Sequence, residues 1–380
     1  MIALALRIIA HSPVRYLVAL LGISVAAGLA FIQLGLYRGF KENASVVVDN
    51  TRGDLWVAHE HTKNFDFPKV IGTQQLDKVR STPGVAWAYP ALIVFAQWKF
   101  LEGERNGEET TVQVVGFEAG SGVGEPWNMS AGFPGDLKSP GHISIDATMR
   151  DRLDNAGLGT LAEINGIRVK VAGLSDGIRS FQGNPMVFAD LDTARSIGRL
   201  RAEDLHYVIV GVVSGAVHDD VLGRLNQLQA TDHVNAFTKQ QFSFKAQDYW
   251  LRSTGAGTAL ALAALMGLIV GVVVAGQVLY TSTIEHLKEY GTLKAIGASN
   301  FQVGIAIVAQ SLAWAFPAHL IAGLLLWIAM RNIEGKGIHL SIEPTTYGLL
   351  GIGTVVICVM ASILSVWRVM RVEPADVFKG

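Results

Sequence analysis

The residues that most resemble a metal site in this chain are His59, Glu60 and His61. They end a segment that is typical of a strand, and successive side chains of a strand point to opposite faces, so His59 and Glu60 would not converge on one ion. No further ligand cluster with zinc-like spacing follows them. We therefore interpret these residues as a solvated strand end and predict no metal site.

Other patterns that could support catalysis are weak. Asp190 and Asp192 precede a helical segment, where an aspartate at the N-cap accepts hydrogen bonds from free backbone N–H groups, and we expect one of them to be that cap. Ser121 lies among glycines but not in a G-x-S-x-G nucleophile elbow. The sequence has no G-x-x-x-x-G-K-[ST] loop for ATP phosphates. We expect no catalytic residue, no cofactor and no enzymatic activity of this chain alone.

The sharpest local signal is the segment 281–299, in which apolar and charged residues alternate at helical spacing. This pattern predicts a short amphipathic helix at a membrane surface. Gly291 and Gly297 would allow tight turns or the close approach of another backbone. Periodicity alone leaves two interpretations open, an interfacial loop and a docking element for another protein.

Four apolar stretches surround this segment and define the elements of the chain. Residues 16–37 contain no charge and would extend about 33 Å as a helix, the thickness of the hydrocarbon core of a bilayer. The other three stretches are 253–284, 295–330 and 344–367. We predict four transmembrane α-helices in 1+3 order, with a large α/β domain between the first two.

The composition agrees with a chain that is partly membrane-embedded. Mean hydropathy is +0.34 and only 17% of residues are charged, which is too apolar for an ordinary soluble protein of 380 residues. The 31 basic and 32 acidic residues nearly cancel, so a nucleic-acid partner is not expected. The single cysteine, Cys358, lies in the fourth apolar stretch, so no disulfide can form within the insert.

The distribution of basic residues predicts the orientation. Both termini and the loop after the second span carry more Lys and Arg than the short loop after the third span, which places the termini in the cytoplasm. The predicted segments are a cytoplasmic N-terminal segment 1–15, spans 16–38, 253–281, 301–330 and 344–367, a periplasmic domain with helical stalks 39–252, a cytoplasmic loop helix 282–300, a periplasmic loop 331–343 and a cytoplasmic tail 368–380.

The sequence pattern of the insert predicts two β-α-β units, one on either side of a strand-rich middle. The first unit spans 54–100 and the second 205–237, which together predict a ferredoxin-like lobe. The middle, about 119–193, predicts a β-rich lobe inserted into the first, with a hairpin that turns at Asn165 and Gly166.

Small residues recur at four-residue spacing in the second span, at Gly267, Gly271 and Ala275. Such a face lets another helix approach closely. It is compatible with packing within the chain and with a homodimer seam. Gln33 and His319 are the polar span residues that we expect to act as interhelical hydrogen-bond partners.

The run 285–299, EHLKEYGTLKAIGAS, resembles the segment of FtsX/MacB-like ABC transporter permeases (the type VII fold) that forms a coupling helix on the cytoplasmic ATPase. The 1+3 order, the size of the insert and the C-terminal VEPADVFKG match the same family. His286 departs from the arginine that the family usually has there. The resemblance implies an ATPase contact made by Glu285, Leu287, Glu289, Tyr290, Gly291, Leu293, Lys294 and Gly297.

The resemblance also implies a function and partners. The chain would be a non-catalytic permease of the bacterial cytoplasmic (inner) membrane that forms a homodimer and binds two copies of a separate ATPase. Segments such as PALIVFAQWK are most similar to the DevC subgroup, whose members export lipid-like or other hydrophobic substrates with a membrane-fusion adaptor and, in Gram-negative bacteria, an outer-membrane duct. The alternatives are an FtsX-type signal transmitter that regulates a periplasmic enzyme and a LolC/LolE-like lipoprotein-releasing subunit.

Overall fold

The computed structural model of the chain describes residues 13–228, 232–333 and 344–370. Within these residues the chain forms two compact units. The helical unit contains residues 13–39, 258–333 and 344–370, and the α/β domain contains residues 40–228 and 232–257. The sequence predictions for residues 1–12, the loop 334–343 and the tail 371–380 lie outside the described residues.

The described residues form ten α-helices, with a π-helical segment at Tyr249–Ser253 and 3-10 helices at Pro134–Lys138 and Ala147–Leu153. The α-helices are α1 (Pro13–Asn43), α2 (Val46–Asn50), α3 (Thr73–Ser81), α4 (Leu191–Gly198), α5 (His218–Asn226), α6 (Lys239–Asp248), α7 (Ala256–Glu285), α8 (Leu287–Ala295), α9 (Asn300–Ile333) and α10 (Pro344–Met370).

The same residues form twelve strands, all but two of them in one sheet. The strands are β1 (Leu55–His59), β2 (Ile71–Gly72), β3 (Val85–Phe100), β4 (Glu109–Phe117), β5 (Met129–Ala131), β6 (His142–Asp146), β7 (Leu161–Ile164), β8 (Ile167–Ser175), β9 (Met186–Asp190), β10 (Asp204–Leu205), β11 (Tyr207–Val212) and β12 (Val234–Thr238).

Helices α1, α7, α9 and α10 are long and apolar enough to cross a membrane. One precedes the α/β domain and three follow it, which confirms the predicted 1+3 order. In the interior of the helical unit, Ile23 of α1, Leu279 of α7, Trp314 of α9 and Ile357 of α10 pack together in one buried cluster. Apolar side chains therefore hold the four helices to one another.

The ferredoxin-like lobe is confirmed by its strand order, β12-β1-β11-β3, in which each neighbouring pair is antiparallel. Helices α3 and α5 cover one face through a cluster that includes Leu76, Val79 and Val221. Helix α6 covers the other face, where Phe242 stacks on Trp56 of β1 with ring centroids 5.4 Å apart. Alternation of apolar side chains along each strand supplies both cores.

The inserted strands close into a ring, a feature that the sequence did not predict. The pairs β3–β4, β4–β9, β9–β6, β6–β8, β8–β7 and β7–β3 return to the starting strand. Strand β3, with 16 residues, belongs both to this ring and to the ferredoxin-like sheet. The inserted lobe is thus joined to the first lobe through a common strand.

The predicted β7–β8 hairpin turns where the sequence indicated. Ile164 pairs with Ile167, and the two residues between them, Asn165 and Gly166, have φ of 51° and 88°. Positive φ at both central residues is the requirement of a type I′ turn, which the Asn-Gly dipeptide meets with little strain.

Candidate functional site

Helix α8 (Leu287–Ala295) lies between the second and third spans and is separated from α7 by the single residue His286. The His286 Nδ1 atom is 3.2 Å from Glu289 Oε2, so this histidine pairs within its own helical turn. The sequence has histidine here where the family it resembles usually has arginine. The structure assigns it this local contact, which is ionic when the imidazole is protonated.

Helix α8 ends in a hydrogen-bonded cap that depends on Gly297. The Gly297 N–H bonds to the Lys294 carbonyl at 3.1 Å, and the Ala298 N–H bonds to the Leu293 carbonyl at 2.9 Å. These two bonds form a Schellman motif, and Gly297 occupies its left-handed position with φ of 102°. The glycine therefore sets where the helix stops.

Helix α9 begins with a second cap immediately afterwards. Ser299 Oγ accepts from the Gln302 N–H at 3.2 Å, and Gln302 Oε1 accepts from the Ser299 N–H at 2.9 Å. This reciprocal pair is a capping box. Two caps that are two residues apart fix a sharp turn between α8 and α9.

The inner face of α8 is anchored by Tyr290, whose side chain is 1% exposed. Its hydroxyl donates to Gln310 Oε1 of α9 at 3.1 Å, and Gln310 Nε2 donates to Ser282 Oγ of α7 at 3.3 Å. Val303 and Ile307 pack against the ring. Burial, and to a smaller extent the nearby Glu289 carboxylate, raises the pKa of Tyr290 to about 12, so the phenol stays neutral and donates its proton.

The structure separates the eight residues that the resemblance assigned to the ATPase contact. Glu285, Glu289 and Gly297 are exposed, whereas Tyr290 and Gly291 are buried within the chain. Leu287 and Leu293 are half-buried and pack on the Tyr290 cluster. The half-buried Lys294 donates to the Met370 carbonyl at 3.4 Å.

Two exposed apolar residues extend the outer face beyond the sequence assignment. Ile296 is 77% exposed and Phe301 is 76% exposed, on either side of the turn at Gly297. We call these two residues, together with the exposed Glu285 and Glu289, the α8 surface. Both are large apolar residues near Gly297, which is a signal that the sequence contains. Because they also lie within the third apolar stretch, 295–330, they were not assigned to the ATPase contact.

The small residues of α7 lie against α1 of the same chain. A Cβ atom added to Gly271 would be 3.2 Å from Ala26 Cβ, and one added to Gly267 would be 3.6 Å from Leu29 Cδ2. Ala275 is fully buried in the cluster that contains Ile23. Of the two interpretations left open by the sequence, packing within the chain is the contact that this structure contains.

The structure bears on the hydrogen-bonding role expected for Gln33 and His319 at one atom, His319 Nδ1. Within the described residues His319 Nδ1 has no hydrogen-bond partner. The imidazole packs instead between Phe31 and Tyr347, with ring centroids 5.3 Å and 4.4 Å away. Aromatic side chains of α1 and α10 are therefore its neighbours at these two positions.

Residues 59–61 lie next to His233, a residue too distant in the sequence for motif spacing to identify. The β1–β12 register pairs His59 with Val234, which brings His233 Nδ1 to 2.7 Å from Glu60 Oε1. His61 Nε2 lies 3.7 Å from the same oxygen. Across the described residues, no group of three or more His, Cys, Asp or Glu side chains is arranged to hold a metal ion.

Asp190 is the N-cap of α4, as one of the two aspartates was expected to be. Its carboxylate accepts from the Asp192 N–H at 3.4 Å and from the Ala119 N–H at 3.0 Å. Asp192 pairs with Arg195 at 2.7 Å on the exposed side of the same helix. Both aspartates thus have structural partners.

Two family models match the chain. Residues 16–228 match the MacB-like periplasmic core domain, and residues 261–374 match the FtsX-like permease C-terminal domain. The first match covers α1 and most of the α/β domain, and the second covers most of α7 and the later helices, including α8.

Relatives of similar length are also found. Uncharacterized ABC transporter permeases of Mycobacterium tuberculosis are 24% identical over 389 residues, and one of Mycobacterium bovis is 20% identical over 383 residues, each over 100% of both chains. Among solved structures, the periplasmic region of MacB from Actinobacillus actinomycetemcomitans matches with 9% identity and a TM-score of 0.39, over 53% of this chain and 98% of that one. The extracellular domain of the ABC-type transporter YknZ from Gram-positive bacteria matches with 13% identity and a TM-score of 0.35, over 48% and 98%.

Proposed function

The chain belongs to the family of ABC transporter permeases with a MacB-like periplasmic core and an FtsX-like C-terminal domain, and on this premise we propose that α8 couples ATP hydrolysis by a separate ATPase to movement of the α/β domain. A permease of this type works in a bilayer with a partner ATPase. In our proposal two copies of the permease bind two copies of that ATPase, and the termini and α8 lie in the cytoplasm.

The observation that supports this proposal most is the division of α8 into two faces. One face is held to α7 and α9 by the Tyr290–Gln310–Ser282 hydrogen bonds. Outside this contact Glu289 of α8 is exposed, as are Glu285 at the end of α7 and Ile296 directly after α8. A helix that is fixed on one side and exposed on the other can pass a displacement from a bound partner to the spans. Apolar anchors surrounded by charges are also what a docking interface uses for affinity and register.

We propose that α1 and α7 carry this displacement onward. Helix α1 continues without a break to Asn43, and α7 begins three residues after the π-helical segment Tyr249–Ser253, which follows α6. A π-helical turn is a common site of local adjustment in a helix. Trp250 in this segment donates to Asp66 Oδ2 at 2.7 Å, and Gln113 of β4 donates to Asp66 Oδ1 at 2.7 Å. Movement of this segment would therefore reach the sheet through Asp66.

The finer features of the function follow the family resemblance. We propose export of a lipid-like or other hydrophobic substrate together with a membrane-fusion adaptor, an outer-membrane duct in Gram-negative bacteria, and no catalysis by the permease itself. The interior of the helical unit is filled by apolar side chains such as Ile23, Leu279 and Trp314. Because a packed apolar interior cannot line an aqueous path, we propose that substrate does not pass through this unit.

Charge reversal on the α8 surface tests the proposal. The tagged full-length permease is purified in detergent with its co-purifying ATPase, and ATP hydrolysis is measured after reconstitution into liposomes. We expect Glu289→Arg, and more strongly Glu285→Arg combined with Glu289→Arg, to reduce ATPase recovery and stimulation about tenfold, which corresponds to about 1.4 kcal/mol of binding free energy. The matched control is Glu104→Arg, an exposed reversal in the α/β domain.

The result that would overturn the proposal is equally direct. If the double variant inserts normally and recovers and stimulates the ATPase as the control does, the α8 surface is not the coupling site.

A further inference from the structure

The α/β domain contains a cavity of about 640 Å³ between the segment that follows β1 and helix α6. Three lysines line it, Lys63 and Lys69 from that segment and Lys245 from α6. The first two are separated from the third by about 180 residues in the sequence, so only the fold brings them together. None of the residues of the α8 surface lines this cavity, whereas Tyr249 of the π-helical segment does.

The residues that line the cavity include three ammonium groups and one carboxylate. Lys63 and Lys69 are exposed, and neither forms an ion pair or hydrogen bond with another residue that the structure describes. The Lys245 ammonium lies 5.1 Å from the centre of the Phe237 ring, a cation–π contact that leaves its charge intact. Glu60 is the carboxylate among the lining residues, and it is engaged by His233 at 2.7 Å.

Two buried polar side chains in the cavity wall lack partners. Thr62 is 2% exposed and Asn64 is 0% exposed. Among the described residues, Thr62 Oγ1 and Asn64 Nδ2 have no hydrogen bond. Buried polar groups are normally paired, and these two atoms in the cavity wall are left without a partner.

The wall is also held in a defined shape. The Asn64 side-chain oxygen accepts from the Phe67 N–H at 3.1 Å, which orients the amide and leaves Nδ2 as the unused donor. The Tyr207 hydroxyl donates to the Phe65 carbonyl at 2.7 Å and lies 3.2 Å from the Asn64 carbonyl. Asn64 is therefore positioned by bonds other than those a ligand would form.

An apolar edge adjoins the basic wall. Phe67 lines the cavity and is 47% exposed, and Tyr249 lies beside it with ring centroids 6.4 Å apart. Phe67 lies between Lys63 and Lys69 in the chain and Tyr249 follows Lys245, so a ligand in the cavity would meet ammonium groups and aromatic rings beside one another. This combination fits a molecule with an anionic head and an apolar body.

We propose that this cavity binds a phosphate group, as carried by an anionic amphiphile. A phosphate offers more acceptor oxygens and charge than a carboxylate, which suits three ammonium groups with an amide donor, and lysine commonly binds phosphate as a point charge. The apolar part of the ligand would contact Phe67. The proposal concerns the α/β domain alone and does not depend on the coupling role of α8.

The test measures binding to the full-length protein in detergent by calorimetry. The probes are dihexanoyl phosphatidic acid, dihexanoylglycerol as its phosphate-free counterpart, and inorganic phosphate. We expect saturable binding of dihexanoyl phosphatidic acid that weakens as salt increases, and no binding of dihexanoylglycerol. Lys63→Gln combined with Lys69→Gln is expected to weaken binding about tenfold or more. The control is Lys170→Gln, an exposed lysine of β8.

A second variant separates recognition from surface charge. Asn64→Asp keeps the size of the side chain but replaces the donor with a carboxylate, and it should also abolish binding. Inorganic phosphate that binds as tightly as the amphiphile would support phosphate recognition and assign the site to the free ion. Binding that survives the double lysine variant, binding of dihexanoylglycerol, or no saturable binding of either phosphate probe would overturn the proposal. ATPase stimulation is measured in parallel, so that a failure of the phosphate-binding proposal can be distinguished from a failure of the coupling proposal.

Discussion

Single side chains decide which face of α8 is available, and Tyr290 is the clearest case. Sequence periodicity identified the helix and placed Leu287, Tyr290 and Leu293 along one side of it, but it could not show which element that side packs against. The orientation depends on Gln310, a hydrogen-bond partner 20 residues away in α9. Motif resemblance therefore indicated the segment, and only the tertiary contact showed that Tyr290 faces inward.

Removal of the Tyr290 hydroxyl should loosen α8 without removing its outer face. In Tyr290→Phe the buried Gln310 side chain loses a donor, which costs about 1–3 kcal/mol. We expect a lower melting temperature in detergent and ATPase stimulation reduced several-fold, while ATPase recovery is retained. Tyr280→Phe, a tyrosine of α7 outside this hydrogen-bond chain, serves as the control. Equal effects of the two variants would argue against a role for this bond.

His206 makes the stability of the α/β domain depend on pH. Its Nδ1 accepts from the Ile93 N–H at 3.0 Å, and burial lowers the pKa of its imidazole from 6.5 to about 4. Between these two values the unfolded chain binds a proton that the folded chain does not, so stability is lost as the pH falls from about 6.5 toward 4. The contribution of His206 to this loss should be about 2 kcal/mol at pH 5.

The variant His206→Asn checks this contribution. Asparagine keeps an acceptor near the Nδ1 position and cannot be protonated in this range. The decrease in melting temperature between pH 7 and pH 5 should be smaller in this variant than in the parent protein. An unchanged pH dependence would mean that other groups cause the acid sensitivity.

At the scale of elements, α1 and α7 approach closely because α7 presents glycine where α1 presents Ala26 and Leu29. The sequence predicted the small-residue face from its four-residue spacing but not its partner, since any helix can use such a face. The cap of α8 was likewise only partly predictable. Gly297 was noted as a turn residue, and its place in the Schellman motif depends on the bonds to Leu293 and Lys294.

A large residue in the α1–α7 contact should separate the two helices. Gly271→Leu would collide with Ala26, because even the first carbon of the new side chain would lie 3.2 Å from the Ala26 Cβ atom. Overpacking of this kind costs about 1–3 kcal/mol, so we expect a lower melting temperature and weaker ATPase stimulation. Gly353→Leu in α10 is the matched control, because nothing lies within 4 Å of a Cβ at that glycine. Equal destabilisation by both changes would contradict close α1–α7 packing.

At the scale of the whole molecule, hydrophobic length alone predicted the four spans, and strand pattern predicted the ferredoxin-like lobe. The ring of inserted strands could not be predicted, because it requires β3 to pair with β7 as well as β4, and pairing between distant strands leaves no local signal. For the same reason the convergence of Lys63, Lys69 and Lys245 was not visible in the sequence.

The common strand β3 predicts that the α/β domain unfolds as one unit. Trp98 lies in the ring half of β3 and is 1% exposed. Trp98→Ala should cost about 3–5 kcal/mol. Hydrogen exchange of the full-length protein, followed by mass spectrometry, should then increase in β11 and β1 as well as in the ring strands. Faster exchange confined to residues 109–190 would show that the two lobes unfold separately.

The double membership of β3 also limits how this domain can diversify. An inserted lobe that is joined to its domain by two flexible linkers can be exchanged between homologues by recombination as one unit. Here one border of the insertion runs through the middle of a 16-residue strand, so a recombination point there would separate residues 85–91, which pair with β11, from residues 91–99, which pair with β4. Chimaeras that keep β3 from a single parent should therefore fold, and variation between relatives is expected to collect in the loops rather than in the exchange of whole lobes.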